Sequence, residues 1–376
     1  MLAALLAALL AAAGPGPGDA LDGRPELALP STEAPAPSPP TALVVPERRR
    51  WFALPVLFWL PETKLGFGAT AGIHVDVTGA PRTSSIFAAA LYTLDRQGAI
   101  DVAGDFTLRG GTVLAGRARA VHFPDAFYGL GPRTPSSARE RFTRRSIEAV
   151  ADVGFPVPGL PHLRAGPRLD LRAEEIRDRA PGGQLDSGPI AGADGFSAVS
   201  GGASVAWDTR DAPLWPSRGS LAQLWYVYAP REIGRGGGFG RGALDLRHFF
   251  PLGGGRVLGV QGYAEGTHGE VPFTLLPKLG SSRFVRGIRE GRYRDRLEWA
   301  AQAELRLPVR GRISATTFAG GGDVAPALRD FSLRTVKVSG GAGLRYRLTD
   351  EGANVRVDVA ASKLGVELYL LVLEAF

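Results

Sequence analysis

The sequence predicts an all-β fold, a transmembrane antiparallel β-barrel of about sixteen strands. Three observations lead to this prediction. From Trp51 to the C-terminus, segments of about ten residues alternate apolar and polar positions, as transmembrane barrel strands do. The connections between these segments alternate between long and short. After residues 1–20, no segment is long, apolar and uncharged enough for a transmembrane helix, so a membrane-spanning chain must close as a barrel.

The N-terminal segment is predicted to be a signal peptide at residues 1–20. An apolar run of Leu and Ala fills its centre, and small residues allow cleavage after Ala13 or Ala20. The run is too short to cross a bilayer as an anchoring helix. Residues 21–50 are rich in Pro, Ala and Ser and cannot build a core, so a disordered periplasmic tail is predicted there. The barrel is predicted to occupy residues 51–376.

The alternation is clearest in the second half of the predicted barrel. Between Leu297 and Pro308 the odd positions are apolar, whereas the even positions include Glu298, Glu304 and Arg306. The same pattern recurs at residues 163–173, 336–348 and 355–359. A period of two places the two sets of side chains on opposite faces of a strand. We expect the apolar face to meet lipid and the charged face to line a wet interior, the lumen.

Sixteen segments can be placed along the chain. Their centres fall near residues 55, 71, 88, 104, 117, 149, 169, 203, 225, 243, 261, 302, 316, 341, 357 and 371. With both chain ends periplasmic, the long connections all fall on the outer side, at 124–139, 179–195, 268–296 and 322–333. The inward turns, such as 109–111, 158–160, 309–311 and 348–352, are short. Long outer loops and short periplasmic turns are typical of these barrels, and an even strand number lets the sheet close without a free edge.

Composition and motifs argue against several other classes of protein. The chain has no cysteine, so it has neither disulfides nor thiolate metal sites. Its net charge is +7, but the arginines are dispersed among acidic residues through the alternating segments, so no nucleic-acid partner is expected. The sequence contains no Gly-x-Ser-x-Gly elbow, no His-Glu-x-x-His motif and no phosphate-binding loop. No enzymatic activity, cofactor or metal is therefore expected.

Five short motifs follow one another along the predicted barrel. They are Leu54-Pro55 with Leu60-Pro61-Glu62-Thr63-Lys64-Leu65-Gly66-Phe67-Gly68, then Phe127-Tyr128-Gly129-Leu130-Gly131, then Asp208-Thr209-Arg210-Asp211 with Pro213, Pro216 and Gly219, then Val285-Arg286-Gly287-Ile288, and finally Glu374-Ala375-Phe376. Their order and spacing resemble the bacterial surface-antigen superfamily, the BamA and TamA group of outer-membrane barrels. The resemblance covers about residues 51–376. It implies that the long sixth outer loop folds into the lumen.

The resemblance implies that Arg286-Gly287 lies in this sixth loop and locks it in place. A guanidinium inside the lumen needs carboxylate partners, because an unpaired cation in a confined site is costly. One family partner is an aspartate at the position where this chain has Gly320. The preferred partner is therefore Glu304, which faces the lumen by parity, and the alternatives are Asp323 and Glu298.

Two further motifs take their roles from the resemblance. Asp208, Arg210, Pro216 and Gly219 are implied to form a periplasmic turn. Phe376 is implied to end the signal that the outer-membrane assembly machinery reads during insertion of the chain.

The function expected from the resemblance is outer-membrane protein assembly or translocation in a Gram-negative bacterium. A weakly paired seam between the first strand, about 52–59, and the last, about 366–376, would open laterally and template a client strand. An alternative is a passive, anion-favouring pore, in which Arg164, Arg168, Arg172, Arg345, Arg347 and Arg356 line the lumen. A structural surface barrel is a third possibility.

Family assembly factors carry periplasmic polypeptide-transport repeats before the barrel. The roughly thirty residues between the predicted signal and the predicted barrel cannot hold one such repeat, since a small domain needs about forty residues or more. A short form without transport repeats is therefore expected. Its expected partners are outer-membrane lipids, client proteins and a separate periplasmic partner that replaces the repeats.

Overall fold

The computed structural model describes residues 50–75, 77, 79–80, 84–212, 215–347 and 354–372. Sixteen long strands run through this part of the chain: β1 Arg50–Leu60, β2 Lys64–Val75, β3 Ser84–Thr93, β4 Gly98–Thr107, β5 Val113–Phe127, β6 Glu140–Val157, β7 Leu160–Arg177, β8 Phe196–Asp208, β9 Gly219–Ala229, β10 Phe239–Pro251, β11 Val257–Gly269, β12 Leu297–Arg310, β13 Ile313–Ala325, β14 Lys337–Arg347, β15 Asn354–Ser362 and β16 Gly365–Val372. Every predicted strand centre lies inside one of them. The predicted signal peptide, the predicted tail up to residue 49 and Phe376 lie outside the described residues.

Each strand pairs antiparallel with its neighbours in the sequence, and β1 pairs with β16, so the sheet closes into a barrel. The predicted fold class and strand number are confirmed. Short elements decorate the connections. They are two-residue strands at Gly234–Arg235, Lys278–Leu279 and Tyr293–Arg294, a helix at Gln184–Ser187, and 3-10 turns at Arg109–Gly111, Ser136–Ala138, Phe273–Leu275 and Leu328–Asp330. No helix in the described part of the chain is long and apolar enough to cross a membrane.

The two faces of the strands differ as the alternation predicts. In β12 the even positions, from Glu298 to Arg306, are buried in the lumen, and the odd positions face outward. Large apolar side chains such as Ile100, Ile147 and Val366 are exposed on the outer surface. An apolar outer surface of this kind is favourable in contact with lipid and unfavourable in contact with water. The polar side chains point into the lumen and so avoid the hydrocarbon of the membrane.

The connections fall into two groups that define the two ends of the barrel. The loop end carries 61–63, 94–97, 128–139, 178–195, 230–238, 270–296, 326–336 and 363–364. The turn end carries 76–83, 108–112, 158–159, 209–218, 252–256, 311–312 and 348–353, of which the last lies outside the described residues. The predicted long loops are all at the loop end, and 270–296 is the sixth of its connections. Three loop-end connections beside the first and last strands are short, a detail that the sequence pattern does not predict.

Aromatic side chains mark both edges of the outer face. Tyr226 and Tyr228 stack against His268 near the loop end, and Trp207 and Phe250 are exposed near the turn end. Measured along β10, the aromatic side chains near the loop end and those near the turn end are separated by about nine residues. This corresponds to roughly 25 Å across the membrane once the tilt of the strands is included. This spacing matches the apolar band of a transmembrane barrel.

The loop at 270–296 fills the lumen on the side of β9 to β16. Its residues Leu279, Phe284, Val285 and Ile288 pack in one cluster with inward-facing Trp225, Tyr263 and Val324. A second cluster at the loop end joins Phe273 of the same loop to Phe127, Phe142, Phe196 and Phe239 of the barrel wall. The interior is therefore a packed core on this side and not an open channel.

Candidate functional site

The tip of the loop at 270–296 brings Arg286 to the centre of a buried ionic network. Val285 has a φ of 49° and Gly287 a φ of 101°, so the backbone turns sharply on both sides of Arg286. The Arg286 side chain is only 1 % exposed. Its Nη2 atom lies 2.8 Å from Glu304 Oε2, and its Nη1 atom lies 2.8 Å from Asp358 Oδ2. Its guanidinium also lies over the Phe318 ring, 3.5 Å from the ring centroid.

The two carboxylates are shared with three further arginines. Arg306 Nε donates to Glu304 at 3.1 Å, and Arg345 Nη2 donates to the same carboxylate at 3.3 Å. Asp358 also contacts Arg345, and Arg356 Nη1 lies 3.7 Å from it. We call this set the lumen network; it comprises Arg286, Glu304, Arg306, Arg345, Arg356 and Asp358. Each of its residues is at least 98 % buried, so its charges depend on one another and not on water.

Arg286 contacts one of its three predicted partners, and the other two lie elsewhere. Glu304 is in direct contact, as described above. Asp323 accepts a hydrogen bond from Thr335 and lies 3.4 Å from Lys337 Nζ. Glu298 faces Glu265 on the neighbouring strand β11. In the structure the second carboxylate on Arg286 is thus Asp358, and neither Asp323 nor Glu298 takes that place.

Asp358 is the functional residue that the sequence reasoning missed. It lies on β15, 72 positions from Arg286, whereas the predicted partners all lie on β12 and β13, the two strands that follow the loop directly. The alternation of Val355, Val357 and Val359 already places Asp358 on the lumen face. That parity is the signal that could have identified it. Gly320 also faces the lumen, but a Cβ atom there would lie 2.9 Å from Gln302 Cβ, so this position has no room for an aspartate.

The loop tip is also fixed to the last hairpin and to the first turn. The Gly287 N–H donates to the Tyr369 hydroxyl at 2.8 Å, and the Ser362 hydroxyl donates to the Gly287 carbonyl at 2.8 Å. A Cβ atom on Gly287 would lie 3.2 Å from Ala360 Cβ, so this position needs glycine for space as well as for its positive φ. Further along, the Glu290 N–H donates to Glu62 in the turn between β1 and β2 at 2.9 Å.

The turn at 209–218 contacts the lumen network from the turn end of the barrel. Arg210 makes a two-pronged ion pair with Asp208, with both N–O distances at 3.0 Å. The Pro216 carbonyl accepts a hydrogen bond from Arg306 Nη1 at 3.1 Å, so this turn is bonded directly to the lumen network. Gly219 has a φ of 97°, and a Cβ atom there would come within 2.2 Å of the Thr209 carbonyl oxygen. The predicted turn residues therefore lie together at the turn end.

Asp211 organises the backbone of this turn. It accepts hydrogen bonds from the Ser217 N–H at 2.9 Å, from the Arg218 N–H at 3.3 Å and from the Ser217 hydroxyl. Partial burial alone would raise the pKa of Asp211, but these hydrogen bonds outweigh it and lower the pKa below its ordinary value.

Within the residues that the structure describes, the seam between β1 and β16 has the fewest paired residues of any junction in the barrel wall. Among the described residues its only register pair is Trp59 with Leu370. Every other neighbouring pair of barrel strands shares at least eight. The register places Leu60, the last residue of β1, opposite Tyr369, so residues 365–368 extend beyond the end of β1. Pro55 lies in the middle of β1 and offers no N–H to a partner strand, a property typical of edge strands.

Apolar side chains close the seam on its inner side. Val56, Phe58 and Leu60 of β1 pack with Tyr369 and Leu371 of β16, and Phe318 and Ala360 complete the cluster. Because Tyr369 is also the acceptor for Gly287, the loop tip and the seam share a residue. Among the described residues, side-chain packing therefore contributes more contacts to this junction than strand pairing does.

The predicted basic lining of the lumen is largely paired with carboxylates. Arg168 lies 3.1 Å from Asp152 and 2.9 Å from Asp170, and Arg172 lies 2.8 Å from Glu148. Arg345 and Arg356 belong to the lumen network, Arg164 donates to the Gly111 carbonyl, and Arg347 lies near the Trp215 ring. Within the described residues, no group of three or more His, Asp or Glu side chains is placed to hold a metal ion.

Comparisons with known proteins agree with this architecture. A family model described as the Omp85 superfamily domain matches residues 121–362. A structure of BamA from Haemophilus ducreyi lacking POTRA domains 1–3 superposes with a TM-score of 0.59 at 16 % identity, covering 86 % of this chain and 70 % of that one. CdiB from Acinetobacter baumannii superposes with a TM-score of 0.56 at 11 % identity, covering 86 % of this chain and 59 % of that one.

CdiB from Escherichia coli gives the same TM-score of 0.56 at 9 % identity, with 86 % of this chain and 62 % of that one covered. The chain therefore spans only about 60 % of either CdiB chain. Identities this low establish a shared fold and no more. No curated protein is similar enough in sequence to count as a relative.

Proposed function

The chain belongs to the Omp85 superfamily and is a barrel of the Gram-negative outer membrane, and from this premise we propose that it acts in the assembly or translocation of other proteins at that membrane. The proposed role is non-enzymatic. Its working site is the seam between β1 and β16, and its proposed partners are client polypeptides, outer-membrane lipids and a separate periplasmic protein. The observation that carries the proposal is the single register pair, Trp59 with Leu370, that joins the two strands among the described residues.

A junction of this kind is suited to strand exchange. Among the described residues, separating β1 from β16 breaks one register pair, whereas separating any other neighbouring pair of strands breaks at least eight. Residues 365–368 already extend past β1, so they offer backbone groups on which an incoming strand can begin to pair. Glycine at 365 adds freedom at the start of that edge. A client strand would then extend toward the turn end as β1 separates.

The lumen loop supports the proposal because it keeps β16 in place while β1 moves. Gly287 is bonded to Tyr369 of β16 and to Ser362 of β15, and Arg286 is paired with Asp358 of β15. On the side of β1, the Glu290 N–H of the loop donates to the Glu62 side chain in the turn after β1. The last hairpin is therefore anchored more firmly to the lumen than the first strand is.

The experiment that tests this proposal is a disulfide across the seam, in a strain that lacks the native gene. The natural chain has no cysteine, so Trp59→Cys with Leu370→Cys introduces a single possible bridge at a register pair. The matched control joins Val357→Cys to Leu370→Cys, a register pair within the last hairpin that does not cross the seam. The readout is the abundance of other outer-membrane barrels and surface proteins, with and without reductant.

We expect the seam variant to restore those proteins only under reducing conditions, and the control variant to restore them under both. Two outcomes contradict the proposal. One is an unchanged outer-membrane proteome in the deletion strain itself, and the other is full activity of the oxidised seam variant. In the first case, altered uptake of anionic solutes would favour the alternative of a pore.

A further inference from the structure

A groove runs along the outer face of β2 to β8, close to the loop end. Small residues form its floor, namely Gly98, Ala120 and Ala173, and Ile100 and Ile147 stand exposed beside them. Its volume is about 810 Å³. The register places Ile100, Ala120, Ile147 and Ala173 in one row across four strands, so bulky and small side chains alternate along it. The lower part of the groove is thus a continuous apolar surface.

A polar row borders this apolar floor on the side of the loop end. The register aligns His122, Arg145 and Glu175 on neighbouring strands β5, β6 and β7. Arg145 Nε donates to His122 Nδ1 at 3.3 Å, which orients the guanidinium across the groove. Arg235, from the connection between β9 and β10, closes the far end. The polar row therefore lies where a lipid headgroup meets its acyl chains.

The charges of this row are not balanced by the protein. Glu175 is paired with Arg177 at 2.7 Å and also attracts Arg145, so this one carboxylate and the three arginines Arg145, Arg177 and Arg235 together carry an excess of two positive charges. In the described part of the chain, neither the Arg145 Nη atoms nor the Arg235 guanidinium has a hydrogen-bond or ion-pair partner. Exposed cations on a lipid-facing surface are unfavourable unless an anion or water meets them. An anion of matching geometry would remove that cost.

We propose that this groove binds a membrane lipid that carries a phosphate in its headgroup. The phosphate lies between Arg145 and Arg235, because planar guanidinium groups bind phosphate oxygens in pairs. An acyl chain lies over Ala120 and Ala173, between Ile100 and Ile147. The residues proposed to bind the lipid lie on β4 to β7 and in the connection after β9, and the site does not depend on the function proposed for the seam.

The test is native mass spectrometry of the full chain in detergent, with phosphatidylglycerol as the probe and diacylglycerol with the same acyl chains as the neutral comparison. Arg145→Gln with Arg235→Gln removes the charges, and Ala120→Leu with Ala173→Leu fills the floor. All four side chains face outward, so the barrel core is untouched. The matched control, Arg329→Gln with Arg334→Gln, removes two exposed charges from the loop at 326–336.

We expect the wild-type chain and the control to bind phosphatidylglycerol in preference to diacylglycerol. The affinity of both groove variants for phosphatidylglycerol should be lower by about tenfold or more. A parallel titration with lipid A, which is also phosphorylated, identifies which phosphate lipid is preferred. The proposal is overturned if both lipid classes bind the wild-type chain equally, or if the control loses as much binding as the groove variants.

Discussion

At Arg286 two carboxylates from different parts of the barrel meet one guanidinium, and the balance of charges around them decides what each substitution will do. Four arginines contact Glu304 and Asp358, so removing Arg286 still leaves both carboxylates with cationic partners. Removing Glu304 instead takes the carboxylate away from Arg306 and leaves Arg286 and Arg345 with Asp358 alone, in a site that water does not reach. The cost of an unpaired buried charge exceeds the cost of a lost hydrogen bond.

Arg286→Ala is therefore expected to release the loop at a moderate cost, and Glu304→Ala to destabilise the barrel more. The loss of charge-assisted hydrogen bonds should cost about 1.5–3 kcal/mol, and the unpaired charges about 3–5 kcal/mol. The measurements are the temperature at which the heat-modifiable folded band is lost in electrophoresis and the protease sensitivity of the loop at 270–296.

Arg289→Ala is the matched control, since it removes a cation from the same loop outside the lumen network. It should change neither measurement. Unchanged loop protection in Arg286→Ala, or a smaller effect for Glu304→Ala than for Arg286→Ala, would contradict the assigned roles.

Among the elements, the turn at 209–218 shows how hydrogen bonds hold a connection at the turn end against the lumen network. Asp211 accepts hydrogen bonds from the backbone of this turn, and the Asp208–Arg210 ion pair and Gly219 lie at its two ends. The Pro216 carbonyl accepts a hydrogen bond from Arg306 of β12. Because Arg306 also contacts Glu304, a loose turn would disturb the lumen network.

Asp211→Ala should loosen this turn at a cost of about 1–2 kcal/mol, measured by hydrogen exchange of residues 215–218. The pKa of Asp211 is lowered in the folded protein, so its contribution is fully present above the unfolded pKa of about 3.9 and is lost as the pH falls through the folded value. The difference between wild type and variant should thus be constant near neutral pH and shrink in acid.

Asp330→Ala removes an exposed carboxylate from a loop at the opposite end and serves as the control. It should leave exchange in the turn unchanged at every pH. A difference between wild type and Asp211→Ala that persists below the folded pKa would show that the carboxylate charge is not what holds the turn.

For the whole molecule, the central question is whether the lumen conducts. The loop at 270–296 supplies apolar side chains to the core on one side, and Arg168 and Arg172 are paired with carboxylates on the other. Such an interior favours a barrel that works through its wall over one that passes solutes through its centre. Whether the barrel conducts depends on how much of the lumen is filled by side chains, and not on how many arginines line it.

Replacing residues 281–292 with a short Gly-Ser linker is expected to raise single-channel conductance in planar bilayers several-fold over the wild-type chain. The physical reason is that the linker removes Phe284, Val285 and Ile288 from the core of the lumen. The matched control replaces 327–333, a loop segment whose Leu328 and Leu333 are exposed. It should leave conductance unchanged, and a wild-type chain that conducts as well as the shortened one would restore the pore alternative.

What the sequence determines by itself is the barrel wall. The period of two in segments such as 297–308 assigns each side chain to lipid or lumen, because alternation is a local property of an extended chain. This alternation alone is enough to predict that Glu304 faces the lumen and is a partner of Arg286. The sixteen strands and the long sixth loop follow from the same pattern, read together with the family resemblance.

Only the tertiary structure decided the contacts that depend on closure and on register around the barrel. Asp358 reaches Arg286 because the sheet closes, and the motif at 127–131 packs on the inserted loop, with the Gly131 N–H bonded to the Arg294 carbonyl at 2.9 Å. The pairing of Trp59 with Leu370 at the seam and the alignment of Arg145 with Glu175 also depend on how far one strand is shifted along the next. Such offsets are set by the sum of packing across the whole barrel, and no local segment of the sequence encodes them.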